Sequence, residues 1–131
     1  MRRDGNMNQK VLVIDDTPVI RDFLNEVFTD SGFVVDTAEN GKIGYEKAMK
    51  NDYAFVISDV HMPVMNGLET IRRIKKAKPE IPIIMTDSFP DKTAEMAKEA
   101  GAICCLAKPF ALEELRQTVK NILAERKTVS K

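Results

Sequence analysis

Five residues of this 131-residue chain have types and positions suited to chemistry. Asp15 and Asp16 end the run that starts at Lys10 (KVLVID), and Asp59 directly follows Ala54 to Ser58 (AFVIS). Thr86 closes Ile81 to Thr86 (IPIIMT), and Lys108 stands just past Ile103 to Leu106. Acid, hydroxyl and ammonium groups together bind ions and charged ligands. Any one acid at the end of an apolar run is explained as a cap for the helix that follows. Five polar residues, each at or just past such an end, call for a shared site.

The site requires elements that bring those ends together. Short apolar runs alternate with longer stretches of helical period, with no internal repeat, which means α/β. Lys10 to Asp15 reads as the first strand. Pro18 then opens a helix in whose first turn it is tolerated, with a stripe of Val19, Ile20, Phe23, Leu24, Val27 and Phe28 and a stop at Ser31-Gly32. Phe33 to Asp36 is a short second strand, and Asn40 caps a helix bearing Ile43, Tyr45, Ala48 and Met49. The continuous apolar run Ala54 to Ser58 suits a parallel strand covered on both faces. Leu68, Ile71 and Ile74 mark a third helix, Ile81 to Thr86 a fourth strand, and Pro90 to Ala100 a fourth helix ended by Gly101. Ile103 to Leu106 is the fifth strand; Leu112, Leu115, Val119, Ile122 and Leu123 face the core from a last helix, beyond which the chain turns polar and is expected to fray. An open α/β sheet binds ligands outside the carboxyl ends of its strands, so the five residues meet at one edge.

Length suits a single domain, with residues 1–9 and 126–131 as tails and 10–125 as the folded unit. Lys plus Arg and Asp plus Glu are equal at 20 each, and the sequence pI is near 6.6, so no global basic field attracts nucleic acid. Cys104 and Cys105 are adjacent, form no CxxC pair and have no distant partner, which fits a reducing cytoplasm. No apolar run approaches the roughly 18 residues of a membrane span. The single histidine, His61, has no second ligand at zinc spacing.

The five residues also carry a resemblance. Asp15-Asp16 after an apolar strand, DVHMPVMNG from Asp59 to Gly67, IIMT ending at Thr86, and GAICCLAKPF from Gly101 to Phe110 resemble the response-regulator receiver family of two-component signalling, across Lys10 to Ala124. The resemblance implies a doubly wound, flavodoxin-like five-stranded parallel sheet of order 2-1-3-4-5. It implies a phosphoacceptor Asp59 charged by a phosphohistidine on a histidine kinase or histidine phosphotransferase, and signalling through altered binding of a downstream protein. Such a chain is a switch rather than an enzyme, with neither membrane nor direct nucleic-acid partner. Three carboxylates and a phosphoryl dianion need a divalent cation between them. Mg²⁺ takes oxygen ligands and keeps several waters, so Asp16, Asp59 and the His61 backbone carbonyl would hold it, with Asp15 acting through water. Lys108 would supply a compensating charge, aimed by a cis peptide before Pro109, and the Thr86 hydroxyl would move to the phosphoryl group.

Two positions depart from the family pattern. Cys105 stands where an aromatic residue normally rotates in response to the Thr86 hydroxyl, and Asp87 stands where a small residue is usual. Asp87 is expected either to add a carboxylate at the rim of the pocket, slowing phosphorylation, or to make a turn or cap before the Pro90 helix. His61 lies where side chains influence the approach of a hydrolytic water. The alternative reading is a degenerate receiver that works as a constitutive interaction module. A haloacid-dehalogenase-type phosphatase needs a second Asp where His61 stands, and a flavodoxin-like cofactor binder needs a phosphate loop where this chain has Asp-Asp-Thr-Pro.

Overall fold

The computed structural model describes residues 9–60, 62, 64–87 and 90–129, of which 90–94 and 126–129 are described by backbone alone. Strands and helices alternate: β1 Lys10–Ile14, α1 Pro18–Asp30, β2 Val34–Ala38, α2 Gly41–Lys50, β3 Phe55–Asp59, α3 Gly67–Ala77, β4 Ile83–Asp87, α4 Pro90–Ala100, β5 Cys104–Ala107 and α5 Leu112–Val129. Every pairing is parallel and the order is β2-β1-β3-β4-β5, so the expected α/β flavodoxin-like architecture is the observed one. Strand order reverses between β1 and β3.

Successive side chains on a strand point to opposite faces, and the two halves of the core follow from that. Val11, Val13, Phe55, Ile57 and Ile84 pack with Leu24, Val27 and Phe28 of α1 and Leu115, Val119 and Ile122 of α5. Leu12, Ile14, Val56, Ile83 and Met85 pack with Ala48 of α2, Ile71 and Ile74 of α3, and Ala97 and Ala100 of α4. Asn40 and Asn66 accept from the Ile43 and Glu69 amides at 2.9 and 3.0 Å, satisfying otherwise orphaned donors at the starts of α2 and α3.

Strand bounds shift by one or two residues from the sequence reading, and two differences have a plain physical cause. β2 starts and ends later, because Phe33, buried with Phe28 and Phe55, belongs to the turn and bonds back to α1 through its amide. α5 continues to Val129, well past Ala124; Glu125, Arg126 and Lys127 are good helix formers, and no Gly or Pro stops them. Among the described residues, no helix is long and apolar enough to cross a membrane.

One contact ties the third strand to the following helix. The Gly67 amide donates to the Val60 carbonyl at 2.7 Å, and a Cβ at Gly67 would overlap the Asp59 carbonyl. Only glycine permits that approach.

Candidate functional site

The carboxyl ends of β1, β3, β4 and β5 converge beside the switch in strand order. Register sets Asp59 next to Thr86, Thr86 next to Leu106, and Asp87 next to Ala107. Asp15, Asp16 and Asp59 each offer a carboxylate oxygen within 4.8 Å of the others. Lys108 Nζ lies 3.1 Å from Asp15 Oδ2 and 3.4 Å from Asp59 Oδ1. Asp15, Asp59 and Thr86 are buried, whereas Asp16 is exposed.

One ammonium among three carboxylates leaves this cluster net negative. Burial pushes the Asp59 carboxyl above its ordinary value; Lys108 draws it down, while the charges of Asp15 and Asp16 push it up again. The result is an ionised form that water solvates poorly and that added positive charge would stabilise. The donors fit Mg²⁺: all are hard carboxylate oxygens, and exposed Asp16 leaves room for retained waters.

Local structure holds these groups in place. Asp15 Oδ1 accepts the Thr17 amide at 2.9 Å, an Asx turn leading into α1, while the Asp15 amide donates to the Ala38 carbonyl at 3.1 Å. Arg21, one turn into α1, donates through Nη1 to the Asp15 carbonyl at 2.7 Å. The Lys108 amide donates to the Asp87 carbonyl at 2.8 Å, and the Lys108–Pro109 peptide is cis. Thr17 and Arg21 escaped the sequence reading. The Asp-x-Thr spacing before Pro18 could have signalled the Asx turn, but no local pattern signals the reach of Arg21.

Asp87 is not at the pocket rim: it is 0 % exposed at the end of β4. Alternation explains its position. Thr86 shares the face of Ile84, and Asp87 that of Met85, the opposite side of the sheet. Cys105 packs against the Met85 side, where burial and then the charge of Asp87 raise its thiol above the ordinary value. Cys104 faces the other way, and on an edge strand both thiols are half-buried. His61, expected both as a carbonyl ligand and as a modulating side chain, lies outside the described residues. Val64, in the loop after β3, has φ 72° and is largely exposed, a costly backbone region for a β-branched residue.

Known proteins resemble this chain in sequence and fold. The family described as the response regulator receiver domain matches residues 11–120. The chain is 35% identical over 115 residues to the transcriptional regulatory protein CusR of Escherichia coli (strain K12), covering 87% of this chain and 51% of CusR. It is 35% identical over 118 residues to sporulation initiation phosphotransferase F of Bacillus subtilis (strain 168), covering 89% of this chain and 95% of that protein. The chain thus spans about half the length of the transcriptional relative and nearly all of the phosphotransferase. Among solved structures, the response regulator TrrA from Thermotoga maritima, in complex with Mg²⁺-BeF, superposes with a TM-score of 0.81 at 35% identity over 88% of this chain and 99% of that one.

Proposed function

The chain belongs to the response regulator receiver domain family of two-component signalling, and from that premise we propose that it is a phosphorylation switch with Asp59 as acceptor. A carboxylate oxygen of Asp59 attacks the phosphorus of a phosphohistidine. The P–N bond breaks, its electron pair returns to the imidazole nitrogen, and an acyl phosphate remains on Asp59. The observation that carries this reading is Lys108 Nζ set between buried Asp15 and Asp59 in an otherwise acidic cluster.

Asp16 and Asp59 would hold Mg²⁺ directly, with Asp15 through water and the His61 backbone carbonyl as a further ligand. When bound, the cation supplies the positive charge that three carboxylates and an incoming phosphoryl group require. Lys108, already between two acids, shifts to the phosphoryl oxygens as a point charge. Thr86, beside Asp59 in register, offers a hydroxyl to the same oxygens. The donor is a histidine kinase or histidine phosphotransferase, and the output is altered binding of a downstream protein. Balanced charge gives this chain no field for nucleic acid, which supports protein partners over direct contact with DNA.

The test is phosphate incorporation from a small-molecule phosphodonor with Mg²⁺, read by intact mass. Wild type gains one hydroxylamine-labile phosphate, and Asp59→Asn gains none while keeping its fold. Full labelling of Asp59→Asn would assign the acceptor elsewhere.

A further inference from the structure

Arg21 touches the acidic edge without touching a carboxylate. Its Nη1 donates to the main-chain carbonyl of Asp15 at 2.7 Å, and the Arg21 amide, bonded to the Thr17 carbonyl at 3.0 Å, roots the residue in the first turn of α1. Paired register in β1 ends at Ile14, so the Asp15 carbonyl lies beyond the ladder at a residue that is 1 % exposed. A buried carbonyl without a donor is unfavourable. That carbonyl and the Asp16 amide belong to one rigid peptide plane. Fixing the carbonyl fixes the direction in which the chain carries Asp16 away from the strand. Asp15 is itself held at Oδ1 by the Thr17 amide and at Oδ2 by Lys108, whereas Asp16 is exposed, with the Thr17 hydroxyl at 3.5 Å the contact at its Oδ1.

We propose that Arg21 is a positioning residue for the cation site: its guanidinium locks the Asp15–Asp16 peptide so that the Asp16 carboxylate stands ready beside Asp15 and Asp59. The inference rests on the reading of these acids as the Mg²⁺ site. Arg21 acts through geometry, and the sign of its effect separates this from a role through charge. By Coulomb's law alone, removing a positive group near a divalent-cation site tightens cation binding. Loss of a positioning bond weakens it, by about tenfold where groups behind metal ligands have been removed.

The experiment is calorimetric titration of MgCl₂ into wild type, Arg21→Ala, Arg21→Lys and the surface control Arg73→Ala, with thermal midpoints recorded for each. The expected result is a Kd for Mg²⁺ raised about tenfold in Arg21→Ala and about threefold in Arg21→Lys, which keeps the charge but loses the planar donor. Arg73→Ala, which breaks the exposed pair with Glu69, matches wild type. An unchanged or tighter Kd in Arg21→Ala overturns the inference. If that variant does not fold, an unchanged Kd in Arg21→Lys does the same. Failure of wild type to bind Mg²⁺ overturns the cation-site reading itself, a result distinct from a binding wild type whose Arg21 variants are indifferent.

Discussion

Around the amino ends of β1 and β3, Lys10 Nζ donates to Asn51 Oδ1 at 3.1 Å, the Tyr53 hydroxyl to Asp36 at 2.7 Å, and Lys78 Nζ to the Asn51 carbonyl at 2.8 Å. Lys78 also lies 3.4 Å from Asp52. At the carboxyl ends of the same sheet, the Lys108 ammonium, alone there among the described residues, is shared between two buried acids, with a third beside them. Both ends place polar groups at the edges of parallel strands. One end sets two lysines against two carboxylates, although Gln9 Oε1 is buried there without a partner; the other leaves negative charge in excess, which a bound cation would offset. Imbalance held in place by the fold, rather than polarity as such, marks the working end.

The sharpest way to break that comparison is to delete one lysine from each end. Lys108→Ala should slow phosphorylation of Asp59 by about 10²-fold at saturating Mg²⁺, the scale of removing one group that meets developing charge. Lys10→Ala should stay within about twofold. Equal losses in timed labelling would erase the distinction.

Stability should respond with opposite signs at the two ends. Because the Asp59 carboxyl is raised, the folded state binds its proton more tightly than the unfolded state does, and stability falls as pH climbs from the ordinary carboxylate range through the folded value. Asn does not titrate. Asp59→Asn should therefore match wild type in acid and exceed it by about 1 kcal/mol at neutral pH without Mg²⁺. Tyr53→Phe should instead lose about 1 kcal/mol across that range, since it leaves Asp36 short of a donor. Denaturant melts at several pH values decide both; a destabilised Asp59→Asn at neutral pH would show that repulsion is already relieved.

The smallest effect concerns Asp87. Buried on the far face of β4, its charge should touch the phosphodonor little, so Asp87→Ala should change the labelling rate less than about twofold and with no dependence on salt. Acceleration that fades with added salt would return the carboxylate to the pocket.

Much of this was legible from strand ends. Asp15, Asp59, Thr86 and Lys108 could be placed because each closes or follows an apolar run, and a parallel sheet aligns such ends by construction. Of the two readings of Asp87, the one at the pocket rim fails on information already present: adjacent residues of a strand point to opposite faces, and Thr86 already took the pocket face. Other features have no local signature. Arg21 spans from helix to strand through a long side chain, Val64 is a residue type that argues against its own φ, and α5 outruns its apolar stripe because polar helix formers continue it.

The contact at Gly67 has a mechanical consequence. With no side chain between them, the first turn of α3 rests directly on the main chain of Asp59 and Val60, joined by a 2.7 Å bond. Such a joint has no slack. A displacement at the strand end would meet the first turn of α3 with no side chain between them to rotate out of the way, and a load on α3 would meet the strand end in the same manner.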